Sequence, residues 1–189
     1  MARVTIVTPY FWPEQAANVP LVIDLLTDLV KSGHSVSVVT SHPSRNIDEK
    51  ASKDYRRDPR KPEYFRGARV IRFPNATPDK TGLIAKLQET VGFWFWAAVG
   101  SMQCARGTDV FIVYSTPPFL SIPVSWSRIM KAVPIVYNLQ DLFPDSAVKS
   151  GLLHNHALVR ILRRVERTAY EKALVVTAIS PSIGGHVQR

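Results

Sequence analysis

The chain has 189 residues, 46% apolar and 21% charged, values that suit a globular domain with a sizeable core and exclude disordered and fibrous classes. A lone cysteine, Cys104, excludes intrachain disulfides and cysteine-based metal clusters and suits a reducing compartment. A net charge of +9, from 24 Lys and Arg against 15 Asp and Glu, favours polyanionic partners such as nucleic acid, anionic lipid or phosphate-bearing substrates.

Met1 to Pro9 carries too short an apolar run for a signal peptide and has no small-residue cleavage site, so an unexported start is expected. Arg3 to Thr8 predicts a first strand. Asn18-Val-Pro20 predicts a helix start, with Asn18 near the N-cap and Pro20 in the first turn. Leu21, Val22, Leu25, Leu26, Leu29 and Val30 then recur at helical spacing, and Gly33 supplies the stop. Ser35 to Thr40 predicts the second strand. A strand, helix and strand within forty residues make a βαβ unit and hence a parallel sheet.

From 42 to 66 the chain turns polar, with Pro43, Pro59 and Pro62 among many charges, and predicts a long mobile excursion. Arg69 to Phe73 predicts a third strand and Leu83 to Arg106 an aromatic amphipathic helix. Asp109 to Tyr114 predicts a fourth strand that ends in Ser115-Thr-Pro-Pro118. A helix is expected over Phe119 to Lys131, then a fifth strand over Pro134 to Asn138. A basic amphipathic helix is expected from Asn155 to Lys172, with Leu158, Ile161, Leu162, Val165 and Tyr170 on its buried side. Leu174 to Ala178 predicts a sixth strand, and Ser180-Pro-Ser182 opens a further helix. The fold class is α/β: one Rossmann-like, doubly wound domain over 1–189, with about six mainly parallel strands and helices on both faces.

The fifth strand runs directly into a polar turn with Gln140, Asp141 and Asp145. In open α/β sheets, ligands lie outside the carboxyl ends of the strands, so these groups can reach a substrate. Asp at a turn also serves as a local cap, and both readings stand at this point. The first βα loop, Tyr10 to Asn18, aims a helix N-terminus at the same side, an anion-friendly position. That loop contains no glycine, so neither the dinucleotide fingerprint nor the P-loop is present. The five histidines lack zinc-type pairing, there is no G-x-S-x-G elbow, and Cys104 lies in an apolar helix that gives no reason for a reactive thiolate. No metal or cofactor is expected. No helix-turn-helix, RNP-type strand or zinc motif is visible, so nucleic acid is not an expected partner.

Val91 to Met102 carries no charge over twelve residues, too few to span a bilayer. Phe93, Trp94, Phe95 and Trp96 are consecutive, and four neighbouring aromatics cannot all face one core. They are candidate membrane contacts, helped by the basic surface. The other reading is a helix packed on the sheet.

Several pieces in order carry a resemblance: Thr8-Pro-Tyr-Phe-Trp-Pro-Glu14, Leu29-Val-Lys-Ser-Gly-His-Ser-Val-Ser-Val-Val-Thr40, Ser115-Thr-Pro-Pro118, Asp141-Leu-Phe-Pro-Asp145 and Ala178-Ile-Ser-Pro181. Together they resemble the N-terminal, acceptor domain of a family 4 glycosyltransferase with the GT-B fold, of the bacterial surface-polysaccharide type. The resemblance implies retaining transfer, without a bound metal, from a nucleotide-sugar donor (UDP-linked) to a polyprenyl-diphosphate-linked saccharide. It also implies a peripheral position on the inner, cytoplasmic face of the plasma membrane. Most donor contacts belong to a C-terminal domain that this sequence lacks, so the isolated domain is expected to be inactive.

On this resemblance Asp141 is the expected catalytic residue, orienting or deprotonating the acceptor hydroxyl. Gln140 faces the donor sugar, Ala16, Ala17 and Asn18 face phosphate, the loop Ser115–Pro118 with Ser115 and Thr116 shapes the acceptor pocket, and Asp145 is a further substrate-binding candidate. Two positions depart from the pattern. Ala16-Ala17 replaces a glycine pair common in relatives, and Gln140 stands where many relatives have histidine. Glutamine can hydrogen-bond there but cannot exchange a proton near neutral pH. The alternative from the residues alone is a non-catalytic Rossmann-like nucleotide-binding or membrane-interaction module.

Overall fold

Val4, Ile6 and Val7 make a strand that is apolar on both faces, and β1 (Arg3–Val7) is accordingly central in its sheet. In this computed structural model, residues 1–43, 47, 55, 63–74 and 83–187 are described, without the side chains of 83–87 and 186–187. Val4 pairs in parallel with Val36 of β2 (Ser35–Ser41) on one side and with Val110 of β5 (Val110–Tyr114) on the other. Seven strands form one sheet, with β3 (Glu63–Phe65), β4 (Ala68–Phe73), β2, β1, β5, β6 (Ile135–Leu139) and β7 (Val175–Ala178) in spatial order. All neighbours are parallel except β3 and β4. This is the doubly wound arrangement: successive strands are added outward from β1 on one side and from β5 on the other, so the strand order reverses between these two parallel neighbours.

Side-chain alternation divides the core between the two faces of the sheet. Val4, Ile6, Val36, Val38 and Val70 pack under α1 (Val19–Lys31) through Val22 and Leu26. Val7, Val39, Phe73, Phe111, Val113, Ile135 and Tyr137 point the other way. They meet α2 (Leu83–Cys104), α3 (Ser121–Ser125) and α5 (His156–Glu171) through Phe93, Ala97, Val124 and Ala169. Gly100 lets α2 lie close: a Cβ there would stand 2.6 Å from Phe73 and 2.8 Å from Val39. Two further short helices among the described residues are α4 (Asp145–Lys149) and α6 (Pro181–Val187).

The expected elements recur, with instructive differences. The seventh strand, β3, lies inside the segment expected to be a mobile excursion; the rest of 42–66 lies largely outside the described residues. β3 joins β4 through Arg66 and Gly67, whose φ values of 48° and 85° give the double left-handed turn that tight hairpins require. The helix expected over Phe119 to Lys131 is broken into α3 and a 3₁₀ turn at Trp126–Ile129. It cannot begin at Phe119, whose φ is 63°.

On α1, Leu21 faces solvent and Val19 takes a core place instead. On α5, Leu158 (42% exposed) and Ile161 (55%) point outward, and the buried positions are Val159, Glu166 and Ala169. Leu162, Val165 and Tyr170 pack against the core as expected, and Glu166, which accepts from Tyr170, shares that inward side. Among the described residues no helix is long and apolar enough to cross a membrane.

Candidate functional site

Three strand ends and one helix define a cleft. Pro9 and Tyr10 leave β1, Ser41 ends β2, and Thr116, Pro117 and Pro118 follow β5. Glu89, Thr90 and Phe93 of α2 close it, giving a volume of about 280 Å³. The cleft therefore sits at the carboxyl ends of the strands, where β1 and β5 diverge, as open parallel sheets favour. The Tyr10 hydroxyl donates to Glu89 Oε1 at 3.2 Å, joining the first loop to α2.

The loop after β5 is held from three sides. Ser115 Oγ accepts from the Gln140 N–H at 2.8 Å, and the Trp94 indole N–H donates to the Pro118 carbonyl at 3.1 Å. The Phe119 N–H donates to the buried Tyr137 hydroxyl at 3.1 Å. That last bond supports a left-handed backbone a phenylalanine would otherwise avoid. Burial pushes the Tyr137 phenol well above its usual range, so it stays a neutral hydroxyl.

A second, small notch of about 10 Å³ adjoins this loop, lined by Ser115, Pro118, Phe119, Tyr137, Leu139, Asp141, Phe143, Glu166 and Tyr170. Phe143 meets Phe119 edge-on with ring centroids 5.6 Å apart, tying the turn after β6 to the loop after β5. Asp141 is exposed there, and its Oδ1 accepts from the Leu142 N–H at 2.8 Å, which fixes the carboxylate. Below it Tyr170 donates to the buried Glu166 at 2.6 Å. Burial, then that carboxylate, raises the Tyr170 phenol.

The expected site residues divide among these features. Thr116 lines the cleft; Ser115 and Asp141 line the notch, and Gln140 reaches Ser115 through its backbone. The Gln140 side-chain amide donates to Asn138 Oδ1 within the same strand end. Asp145 stands apart at the start of α4, where Arg163 of α5 donates to it at 2.9 Å and 3.2 Å. Ala16, Ala17 and Asn18 are not among the cleft walls.

Asn18 occupies the N-cap position but does not cap with its side chain; its amide donates to Thr8 Oγ1 at 3.3 Å. The first turn of α1 has the Val19 and Val22 N–H groups already engaged, by Ala16 and Asn18 carbonyls, and Pro20 offers none.

The aromatic run of α2 splits by face. Phe93 is 4% exposed and belongs to the core, which corrects its expected membrane contact. Trp96 stacks on Phe73 at 5.2 Å, and Trp94 is tied to Pro118. Phe95, 58% exposed, faces outward with Val91 one turn away, also 58% exposed.

Tyr10, Ser41, Glu89 and Thr90 went unrecognised in the sequence. Tyr10 and Ser41 follow strands one and two directly, so the strand-end rule already pointed to them. Glu89 had no such signal, because the rotation of a helix over a sheet is not written in its spacing. His42, next to Ser41, is buried; burial first, then the charge of Arg72, pulls its imidazole below the ordinary range.

Among the described residues no group of three or more His, Cys, Asp or Glu side chains could hold a metal ion. No curated protein matches the chain. The glycosyl transferase 4-like domain family matches residues 12–189, a span that contains the Asp141 turn and all of the cleft walls except Pro9 and Tyr10. An α/β sheet with polar groups gathered at its carboxyl edge, matched over nearly its whole length, places this chain in the glycosyl transferase 4-like domain family, whose role is glycosyl transfer.

Proposed function

We propose that this domain is the acceptor-binding half of a retaining GT-B glycosyltransferase of the bacterial surface-polysaccharide type. Its reaction moves a sugar from a UDP-linked donor to a polyprenyl-diphosphate-linked saccharide at the inner face of the plasma membrane. The observation that carries this reading is the continuity of the Asp141 turn with the switch-point cleft through Ser115–Phe119. An acceptor in the cleft would meet a carboxylate at its edge and bulk space for a donor beyond it.

In this reading Asp141 orients or deprotonates the acceptor hydroxyl, its second carboxylate oxygen serving while Oδ1 stays on the Leu142 N–H. Gln140 offers its side-chain carbonyl and its second amide hydrogen to the donor sugar's hydroxyls, one amide hydrogen being engaged by Asn138. Donor phosphates are held mainly by a second domain. Phe95 and Val91, with the +9 charge, supply the attraction to an anionic bilayer surface.

The test is sugar transfer from UDP-sugars to lipid-linked saccharides by the protein carrying this domain, as wild type and as Asp141→Asn. Loss of a positioned base lowers kcat by about 100-fold or more with UDP affinity unchanged. Transfer retained by the variant would remove Asp141 from this role. Tight UDP binding by the 189-residue chain, with no transfer in any context, would support a non-catalytic nucleotide module instead.

A further inference from the structure

Helix α2 is apolar on two opposite sides. Phe93 and Ala97 face the sheet and belong to its core. On the side away from the sheet, Val91, Phe95, Val99 and Met102 follow one another at helical spacing, the first two exposed and the last two half-buried. No charge interrupts either side from Val91 to Met102. A helix resting on its own domain needs one apolar face, and a second apolar face calls for a non-aqueous neighbour.

The 3₁₀ turn that packs beside α2 extends this surface. Ile129 is 76% exposed, Trp126 54% and Met130 45%, although Val124 just before them is fully buried. Arg128 of the same turn donates to the Lys172 carbonyl at 3.0 Å, which joins the turn to the end of α5. There Arg160, Arg164 and Arg167 are exposed, opposite the buried Val159 and Glu166. Single exposed apolar side chains are ordinary. Five of them on two adjoining elements of one layer, bordered by arginines, mark an interaction surface.

Charge selects the occupant. Helix α5 carries four arginines against Glu171 and the buried Glu166, whereas α1, on the other face of the sheet, carries Asp24 and Asp28 against Lys31. A two-fold dimer through the α2 layer would bring two basic borders together, which costs free energy. An anionic bilayer complements both parts: its interface takes Trp and aliphatic side chains, and its phosphates take arginine.

We propose that the outer face of the α2, 3₁₀-turn and α5 layer docks on an anionic phospholipid bilayer. Val91, Phe95, Trp126, Ile129 and Met130 enter the interfacial zone, and Arg128, Arg160, Arg164 and Arg167 meet lipid phosphates. Thr90 and Phe93, which wall the cleft, share two turns of α2 with Val91 and Phe95. The cleft therefore lies about one helix width, roughly 10 Å, from the bilayer. This deepens the membrane part of the functional reading and rests on that part alone, not on the catalytic one.

The test is flotation of the 189-residue chain with vesicles of phosphatidylcholine alone and of phosphatidylcholine with phosphatidylglycerol. Binding to the mixed vesicles is expected to be tenfold or more tighter. Val91→Ser with Ile129→Ser should weaken it roughly tenfold. Arg160→Gln with Arg164→Gln should do the same on the anionic vesicles only. Leu21→Ser, at an exposed apolar position of α1, is the control and should change nothing. With brominated lipid, Trp126→Phe should remove most of the tryptophan quenching and Trp12→Phe should leave it.

Equal binding to the two vesicle types, no loss in the apolar double variant at an unchanged melting profile, or an equal loss for Leu21→Ser would overturn the proposal. So would a lipid-free dimer broken by Val91→Ser with Ile129→Ser, since the surface would then be covered by a second copy. Sugar transfer is scored separately. Vesicle binding without transfer removes the catalytic reading alone, and transfer without vesicle binding removes this surface alone.

Discussion

Arg72 and Glu63 form a two-point ion pair, Nε to Oε2 at 2.6 Å and Nη2 to Oε1 at 2.7 Å, behind the cleft rather than in it. The same guanidinium donates to the Trp12 carbonyl at 2.5 Å and the Ser41 carbonyl at 3.2 Å. One buried side chain thus fastens β3, the end of β2 and the first βα loop together. Arg72→Met removes four bonds and leaves the mostly buried Glu63 carboxylate without its cation, with a long 3.5 Å contact to the Tyr55 hydroxyl remaining, so a loss of about 3 kcal/mol in urea denaturation is expected. Arg72→Lys should fall between, since an ammonium cannot make the two-point pair. A change within about 0.5 kcal/mol for Arg72→Met, the range of ordinary surface substitutions, would show that the staple is ornamental.

Gly100 is required by contact, not by backbone freedom. Alanine there would press its methyl against the ring of Phe73 and against Val39, and Phe73 is itself stacked on Trp96. Gly100→Ala should therefore destabilise by about 1–3 kcal/mol, the usual cost of overpacking. Gly107, where an added methyl meets nothing within 4 Å, is the matched control and should be neutral or gain about 0.5 kcal/mol. Equal stabilities for the two variants would contradict the close packing of α2.

Tyr137→Phe deletes one oxygen and nothing else. The Phe119 N–H loses its acceptor while remaining buried in a left-handed turn. A loss of about 1–3 kcal/mol follows from the unpaired donor. The notch and cleft should both feel it, because Phe119 also holds Phe143. Hydrogen exchange at Phe119 is the direct measurement, and unaltered protection would mean another acceptor takes over.

His42 gives the protein a pH limb. Its imidazole is held below the ordinary range, by burial and then by Arg72, so the unfolded chain binds a proton at that residue more readily than the folded one. Stability is complete above the unfolded value of about 6.5 and falls as pH drops through and below it. Thermal melts between about pH 7.5 and 5.5 should show this decline, and His42→Gln should flatten it relative to wild type. Parallel slopes for both proteins would assign the limb to other groups.

The sheet was largely legible in the sequence because its strands are short β-branched runs broken by Pro and Gly, and burial on both faces makes such runs hard to mistake. β3 was missed because its Arg66-Gly67 turn lacks the Asn-Gly or Asp-Gly signature and it sits in a charged stretch. On α5 the apolar periodicity named Leu158 and Ile161 as core, whereas Glu166, satisfied by Tyr170, took the inward place. Hydrophobic spacing does not register a polar residue that brings its own partner. The site was half legible: the Asp141 turn and Thr116 follow strands, whereas Glu89 enters from a helix whose rotation depends on Gly100 and Phe73.

The cleft walls come from residues 9–10, 41, 89–90, 93 and 116–118, spread over more than half of the chain. They converge only when Val4 has found Val110, 106 positions away, as the parallel pairing of β1 with β5 requires. Parallel pairings at such separation close slowly, since loop entropy is lost before any contact repays it. The cleft is therefore expected to form late on the way to the native state, after the first βαβ unit can already stand. A lesion that delays this single closure would leave molecules rich in secondary structure yet without a site, and a binding assay would report it before circular dichroism did.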